Sequence, residues 1–352
     1  MNYMYCLCIL FHKIKMSLFK NEKNLSVRLF ISHNKYTLTQ NFFMKFSTGL
    51  WLPPRTNLNQ SISIGNPGII DQRIYNDLLK YLSVQKIEFS QELDFRNAYI
   101  KNGYVYIGDI CLSKFDIFIW FGVINRNPGS HDLETLRTLS LTTKIANSYE
   151  YMTLGSDKFR AFSLLHHHQI PVSDFLFVNQ RNIHEVDLSH LGSSVLLKPR
   201  RGGFGIGIIK IDSPSQLRDI VDYLSNQKDE SFYIEKYYEN DMSQWIGLTV
   251  INGNILYGYR KKADKIADWK IYDRNQIGGG VDLVIPNDEQ IKIAESVYKI
   301  LKANFFGLDI IKSKDGYKVV DINYLPGLYY DFIQELKIDF PKIFFRMLHQ
   351  FY

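Results

Sequence analysis

Cysteine, long apolar runs and blocks of like charge are all scarce in this sequence, and each scarcity excludes a class of protein. Only 3 of the 352 residues are cysteine, so neither a disulfide framework nor a cysteine metal site is expected, and a reducing, cytoplasmic compartment fits best. The apolar run at residues 3–11 is too short to span a bilayer, and no small-residue cleavage site marks a signal peptide. The net charge of +6 is spread along the chain, which argues against nucleic acid as a partner.

The remaining composition is that of a globular protein. Hydrophobic residues make up 45% and charged residues 22%, and 352 residues suffice for two or three lobes with buried cores. Residues 1–43 are interpreted as an extension that adds nothing to the fold, with Met16 or Met44 as alternative starts. A weak membrane-surface tether is the other interpretation of this segment.

Strands and helices alternate from Met44 onward, which predicts a small α/β lobe over residues 44–149. Asp71 is suited to cap a helix whose apolar side chains recur at helical spacing. Asn102-Gly103 between two alternating segments predicts a hairpin. Arg126, in a loop after a predicted strand, is the residue of this lobe that we expect to contact a substrate.

A glycine-rich hairpin is predicted at residues 195–209, where two apolar strands flank a glycine turn. Lys198 precedes the glycines on the incoming strand, whereas a P-loop has its lysine after them and a helix behind. Glycine amides approach phosphate oxygens closely, and a lysine beside them adds positive charge. The alternative is an ordinary hairpin beside a surface lysine, and in either case Lys198 is expected to contribute little to the stability of the fold.

Two strands near the end of the chain carry oxygen ligands. Asp309 lies on one strand and Asp321 on the next, and a turn at Lys314-Asp315-Gly316 pairs the strands. The two-residue spacing puts Asn323 on the same face as Asp321. Carboxylate and amide oxygens suit a Mg²⁺ ion that bridges nucleotide phosphates. Polar strand ends before a Pro-Gly turn are the structural alternative.

Three consecutive histidines, His166 to His168, do not predict a metal site. Consecutive residues on a helix point about 100° apart, so the three rings cannot converge on one ion. A polar helix terminus explains them better.

The order of these features resembles the ATP-grasp superfamily, and within it the glutamate ligases that modify a ribosomal protein's C-terminus and their glutathione-synthetase-like relatives. The features, in chain order, are Asp157-Lys158 before a helix, Lys198 with its glycine loop, Glu235-Lys236-Tyr237, Arg260, Asn275 with Gly279-Gly280, Asp309, Asp321-Ile322-Asn323 and Pro326-Gly327. The resemblance covers roughly residues 149–328.

The resemblance implies an α+β ATP-grasp fold, in which a small pre-ATP-grasp α/β lobe precedes two α+β subdomains that clamp ATP between them. The implied boundaries are 44–149 for the lobe and 150–352 for the ATP-grasp domain, divided into subdomains 150–228 and 229–352.

The resemblance also implies roles for individual residues, with ATP and Mg²⁺ (or Mn²⁺) as cofactors. Phosphates would be bound by Lys158, Lys198 and the glycine loop, which contains Gly202, Gly203, Gly205 and Gly207. The adenine edge would be held by Glu235 and by the backbone at Lys236 and Tyr237. The metal would be held by Asp309, Asp321 and Asn323, while Arg260 and Asn275 would face the transferred phosphate and the acyl intermediate.

The sequence departs from the family pattern at several positions. The acid and arginine that the family usually has after the adenine hinge align with Trp245 and Gly247, and both are lost. Asp321 stands where glutamate is commoner, and the loop between Arg260 and Asn275 is longer than expected. The lost arginine affects the expected site of the second substrate more than that of ATP.

An ATP-dependent carboxylate–amine ligase that works through an acylphosphate is the function these features favour. It would add an amino acid to the carboxylate of an amino acid, peptide or protein, with small-molecule or peptide carboxylates and amines as substrates. No nucleic acid partner and no integral membrane segment are expected, and the oligomeric state stays open. The sequence has no Gly-x-Ser-x-Gly elbow and no cysteine placed as a nucleophile, consistent with this chemistry. A small-molecule kinase of the same superfamily and a non-catalytic nucleotide-binding module are the alternatives.

Overall fold

The computed structural model describes residues 46–55, 63–202, 205–226, 231–239, 242–261 and 280–350, together with the backbone of five further strands. The strands are β1 (Ile14–Asn21), β2 (Asn24–His33), β3 (Tyr36–Phe43), β4 (Ser47–Trp51), β5 (Glu88–Ser90), β6 (Tyr99–Lys101), β7 (Tyr104–Ile107), β8 (Ile110–Cys111), β9 (Ile117–Trp120), β10 (Lys144–Ala146), β11 (Phe175–Val178), β12 (Val195–Lys198), β13 (Ile209–Ile211), β14 (Phe232–Lys236), β15 (Ile246–Ile251), β16 (Asn254–Lys261), β17 (Ile266–Ala267), β18 (Lys270–Ile271), β19 (Val281–Val284), β20 (Phe305–Ser313) and β21 (Gly316–Asn323). The α-helices are α1 (Gln72–Val84), α2 (His131–Leu139), α3 (Tyr149–Gly155), α4 (Lys158–His167), α5 (Pro214–Asn226), α6 (Asp288–Leu301), α7 (Tyr330–Glu335) and α8 (Phe340–Phe344).

The first lobe is built on a parallel sheet with strand order β10-β9-β4-β5. Helix α1 begins at the predicted cap, where the Asp71 side chain accepts a hydrogen bond from the Arg73 N–H at 2.8 Å. Its buried residues are Ile74, Leu78 and Leu82, the apolar stripe that the spacing predicts. The Asn102-Gly103 hairpin joins β6 to β7 as expected. Strands β1 to β3 form an antiparallel sheet that is separate from the other described sheets.

The next four-stranded sheet carries the glycine hairpin. Its order is β11-β14-β12-β13, and every pairing is antiparallel. Helix α5 packs Leu217 and Val221 into a core that includes Leu197 and Ile234 from the sheet. The hairpin between β12 and β13 is the one that the sequence predicts, with Leu197 paired to Ile209.

The last large sheet has the order β19-β16-β15-β20-β21 and is also antiparallel. Helix α6 begins at a capping box, in which the Asn287 side chain accepts from the Gln290 N–H and the Gln290 side chain accepts from the Asn287 N–H. This mixture of parallel and antiparallel sheets with helices is the α+β ATP-grasp architecture that the resemblance implies.

Three helices were not predicted from the sequence: α3, α7 and α8. Each has seven residues or fewer, too short for an apolar period to stand out. No described helix is both long enough and apolar enough to cross a membrane.

Candidate active site

Strands β20 and β21 bring the predicted metal ligands together. Asp309 and Asp321 are directly opposite each other in the antiparallel register, and Gly307 is opposite Asn323. The Asn323 amide donates to Asp309 Oδ1 at 3.4 Å. The turn at Lys314-Asp315-Gly316 joins the two strands as expected from the sequence, and a register shift between Asp309 and Ile310 then brings Asp309 opposite Asp321.

Asp309 is buried, and burial is the main cause that raises its pKa to about 7. The charge of Asp321 raises the pKa further, while Lys261, Lys158 and the Asn323 hydrogen bond lower it. A carboxylate held out of water beside a second carboxylate is stabilised by a bound cation. Two carboxylates and an amide oxygen therefore fit a hard divalent ion such as Mg²⁺. No described group of three His, Cys, Asp or Glu side chains forms an alternative metal site.

Lys158, the first residue of α4, reaches across to this cluster. Its Nζ lies 2.6 Å from Asp321 Oδ1, and the lysine side chain is only 10% exposed. The Lys158 backbone N–H donates to the carbonyl of Arg200 at 2.9 Å. The helix that carries this predicted phosphate ligand is thereby joined to the chain just before the glycine loop.

Lys198 is buried, and the expectation of a surface lysine was wrong. Its Nζ lies 2.6 Å from Glu235 Oε2, with the two side chains 6% and 1% exposed, and it also donates to the Val320 carbonyl at 3.3 Å. The sequence could not reveal this burial, because Glu235 comes from β14 and Val320 from the facing sheet. Lys198 therefore connects the two sheets between which a nucleotide is expected.

The glycine loop requires glycine at two of the described positions. Gly205 and Gly207 have positive φ angles of +68° and +76°, a backbone conformation that residues other than glycine rarely adopt. A Cβ at Gly207 would also lie 2.8 Å from Pro199 Cγ. At Gly202 a Cβ would meet ordinary contacts. Gly203 lies outside the described residues.

Asp157, a buried acid for which the sequence predicted no role, fixes the start of the loop. Asp157 is fully buried, and its carboxylate accepts from Arg200 Nη2 at 2.7 Å and from Arg201 Nη2 at 2.8 Å. It also caps α4 by accepting from the Arg160 N–H. The Arg200 guanidinium lies 4.9 Å from the Phe177 ring centroid. The sequence offered one signal for this role of Asp157, the charged residues on both sides of the predicted start of α4.

The segment predicted to hold adenine lies at the end of β14. The N–H of Lys236 donates to the Asp174 carbonyl at 2.8 Å, and the N–H of Tyr237 donates to the Ser194 carbonyl at 3.1 Å. Because these two N–H groups have protein acceptors, backbone contacts to adenine here would involve carbonyl groups. The role of this segment stays a prediction.

Of the two predicted catalytic residues, Arg260 is the described one, and it is not brought to the carboxylates. Arg260 on β16 pairs in register with Asp282, and its Nε is buried without a hydrogen-bond partner among the described residues. The next residue, Lys261, is the one whose charge acts on Asp309. Strand alternation explains the difference, since neighbouring residues face opposite sides. Asn275 lies outside the described residues.

The ring of Tyr259 occupies the space that a side chain would take at the position of the lost family arginine. Gly247 is opposite Asp309 on one side and Tyr259 on the other. A Cβ at Gly247 would clash with Cζ of the Tyr259 ring in its present position. That ring, with Trp245 in edge contact at 5.9 Å, fills the space beside the carboxylates.

Comparison with known proteins identifies the family. The model of the RimK-like ATP-grasp domain matches residues 155–348. The chain belongs to the RimK-like ATP-grasp family. Its members and structural relatives define the fold in which the residues above are placed.

Curated relatives are similar over part of their length. A probable alpha-L-glutamate ligase of Haemophilus influenzae (strain PittEE) is 24% identical over 182 residues, which are 52% of this chain and 60% of that protein. A probable alpha-L-glutamate ligase of Aeromonas salmonicida is 24% identical over 200 residues, 55% of this chain and 63% of the relative. The chain thus spans about three fifths of these relatives.

Solved structures are similar over most of the chain. D-cycloserine synthetase DcsG superposes with a TM-score of 0.60 at 14% identity. The match covers 86% of this chain and 99% of the synthetase chain. The D-alanine–D-alanine ligase of Bacillus anthracis in complex with ATP gives a TM-score of 0.55 at 16% identity, with 85% and 94% covered. These likenesses confirm the ATP-grasp fold.

Proposed function

We propose that this protein is an ATP- and Mg²⁺-dependent carboxylate–amine ligase that adds an amino acid to the carboxylate of an amino acid, peptide or protein. The observation that carries the proposal is the convergence of Asp309, Asp321 and Asn323 with the Lys158 ammonium, whose Nζ lies 2.6 Å from Asp321. The family match and the ligase names of relatives in two bacteria support it. A cytoplasmic location belongs to the same proposal.

The residues present suit phosphoryl transfer to a carboxylate. A carboxylate oxygen of the substrate attacks the γ-phosphorus of ATP, the bond to the β–γ bridging oxygen breaks, and ADP leaves. The acylphosphate then loses inorganic phosphate when an amine nitrogen attacks its acyl carbon and gives up a proton, forming the amide. Lys158, Lys198 and Lys261 would stabilise charge on the transferred group, so no protein nucleophile is needed.

Mg²⁺ would be held by Asp309, Asp321 and Asn323, and when bound it would supply charge neutralisation for the phosphates. Because Lys158 contacts Asp321 directly, the same lysine is placed to change partner from the carboxylate to a phosphate oxygen. The glycine loop between β12 and β13 would cover those phosphates with its amides.

The test is to incubate the protein with Mg-ATP and pooled amino acids and peptides, and to follow ADP release and new masses together. We expect ADP release that depends on both a carboxylate and an amine, with a product lighter by one water than the two substrates combined. Asp321→Ala should abolish turnover while leaving the fold intact, because phosphate charge is then uncompensated.

Other outcomes would replace the proposal. A stable phosphorylated product without an amine requirement would identify a kinase. ATP binding without turnover on any substrate would identify a non-catalytic nucleotide-binding module. Wild-type activity in Asp321→Ala would remove this residue from the site.

A further inference from the structure

One buried carboxylate holds the side chains of two consecutive arginines at the start of the glycine loop. Asp157 is fully buried, and its Oδ2 accepts from Arg200 Nη2 at 2.7 Å and from Arg201 Nη2 at 2.8 Å. The single negative charge can neutralise only one of the two guanidinium groups. Burial lowers the pKa of Arg201, the Asp157 charge opposes this, and the positive charges of neighbouring arginines lower the pKa further. A second anion beside this pair of arginines would therefore be stabilised.

The two arginines are held unequally. Arg200 also donates from Nε to Asp157 Oδ1 at 3.3 Å and from Nη1 to Ser231 Oγ at 3.4 Å. The backbone carbonyl of Arg200 accepts from the Lys158 N–H at 2.9 Å. Among the described residues, Asp157 is the only hydrogen-bond partner of the Arg201 side chain, through one nitrogen. Arg201 can therefore leave Asp157 while Arg200 keeps the buried carboxylate neutralised.

Arg201 lies at the end of the site where the terminal phosphate of ATP is expected. It binds the residue that precedes Lys158, whose Nζ lies 2.6 Å from the predicted metal ligand Asp321. The pair of arginines also contacts Ser231, which directly precedes β14, whereas adenine is expected five residues further along the chain, at Lys236. At the usual rise of a strand, five residues span about 16 Å. The guanidinium groups are therefore remote from the expected adenine and close to the carboxylates.

We propose that Arg201 exchanges Asp157 for the γ-phosphate of ATP when the nucleotide binds. The Arg201 side chain is 26% exposed, so a phosphate can reach it. A guanidinium matches two phosphate oxygens with two parallel hydrogen bonds, whereas Arg201 donates through a single nitrogen to Asp157. The glycines that follow Arg201 would let the backbone turn as the side chain moves. This inference rests on the proposed function, because it adds a residue to the ATP site of that reaction.

A comparison of two nucleotides tests the exchange without turnover. Calorimetric titrations of the full-length protein in Mg²⁺ would measure the Kd of the non-hydrolysable analogue AMP-PNP, which has a γ-phosphate, and that of ADP, which lacks one. Arg201→Gln should weaken AMP-PNP binding by roughly tenfold to a hundredfold and change the Kd of ADP less than about twofold. Arg201→Lys should recover part of the AMP-PNP affinity, because it restores the charge but not the paired donors.

Arg160→Gln is the matched control. Arg160 is an exposed arginine of α4 that contacts Asp157 through its backbone N–H, and its side chain makes no ion pair among the described residues. The variant removes one positive charge near the same carboxylate and should change neither Kd.

Several outcomes would overturn the proposal. Unchanged AMP-PNP affinity in Arg201→Gln, or an equal loss of AMP-PNP and ADP affinity, would show that Arg201 does not bind the γ-phosphate. A loss of AMP-PNP affinity as large in Arg160→Gln would assign the effect to net charge. Failure of the proposed function would show separately, as AMP-PNP binding by a wild type that releases no ADP from ATP with any carboxylate and amine.

Discussion

Two lysines that the sequence assigns to ATP phosphates are each held by a carboxylate in the folded chain. Lys158 pairs with Asp321, and Lys198 pairs with Glu235, both at 2.6 Å. The Lys198 pair is fully buried, so breaking it by removing one partner leaves an uncompensated charge away from water. The same residue can therefore be required for stability and for nucleotide binding, and the two effects must be measured separately.

Lys198→Met is expected to destabilise the protein by about 3–5 kcal/mol, because Glu235 then remains buried without its cation. Urea unfolding of the single variant and of the double variant Lys198→Met/Glu235→Gln measures this. The double variant should regain part of the loss, since it removes the orphaned charge. Unchanged stability of the single variant would contradict the buried ion pair.

A pH effect is expected from Asp309, whose pKa is raised from 3.8 to about 7 by burial. Between about pH 4 and pH 7 the folded state keeps a proton that the unfolded state has lost, so the free energy of unfolding falls as pH rises. Asp309→Asn should flatten this fall and raise the free energy of unfolding at pH 8 by on the order of 1–3 kcal/mol. Urea unfolding from pH 4 to pH 8 is the measurement.

The matched control for this profile is Asp315→Asn, an exposed carboxyl in the turn of the same hairpin. In this variant the free energy of unfolding should fall with rising pH as it does in the wild type. A decline that persists in Asp309→Asn would show that another group causes it.

Local signals in the sequence were sufficient for most of the secondary structure elements. The Asp71 cap, the Asn102-Gly103 turn and the Lys314-Asp315-Gly316 turn each fix an element through neighbouring residues alone. The turn pairs the two strands, but the register shift between Asp309 and Ile310, which places Asp309 opposite Asp321, was not predicted. These predictions held because the physics that decides them lies within a few residues of sequence.

The side-chain partners could not be predicted in the same way. Lys198 is buried by a strand 37 residues away, and Asp157 receives two arginines from about 43 residues further on. The choice of Lys261 over Arg260 depends on the register of β16 on β15 and of β15 on β20, which puts Lys261 on the same face of the sheet as Asp309. Such facts follow from how the sheets pack, which no local pattern encodes.

The contact between α4 and β21 predicts an order of binding. Because the Lys158 ammonium neutralises Asp321, it competes with a metal for that carboxylate. Lys158→Met should raise the affinity for Mn²⁺ without nucleotide, roughly three- to tenfold, and weaken binding of Mg-ATP. Electron paramagnetic resonance titration of free Mn²⁺ gives the first value, and calorimetry the second.

Lys210→Met serves as the control, because it also removes one lysine charge. Lys210 lies on β13 and pairs with the exposed Asp212. It should leave Mn²⁺ binding unchanged. If Lys158→Met bound Mn²⁺ no better than the wild type, Lys158 would not compete with the metal.

On the scale of the whole molecule, the first lobe and the last sheet are joined by hydrogen bonds as well as by apolar packing. Asn147 lies just after β10 and is 2% exposed. Its side chain donates to the Phe305 carbonyl at 2.7 Å and accepts from the Phe305 N–H at 2.9 Å. The Asn147 carbonyl accepts from the Trp120 indole at 2.9 Å. The strand that carries Asp309 therefore begins at a bond to the lobe that carries Arg126.

Asn147→Ala should lower the free energy of unfolding by about 2–4 kcal/mol, because the buried N–H and carbonyl of Phe305 both lose their partner. Urea unfolding followed by tryptophan fluorescence, in a Trp245→Phe/Trp269→Phe background that leaves Trp51 and Trp120 of the first lobe, would be compared with circular dichroism of the whole chain. If Asn147 couples the lobes, the two transitions should separate in the variant and coincide in the wild type. Asn76→Ala, an exposed asparagine on α1, should change neither curve. Coincident transitions at wild-type stability in Asn147→Ala would mean that apolar packing alone holds the first lobe to the sheet of the candidate site.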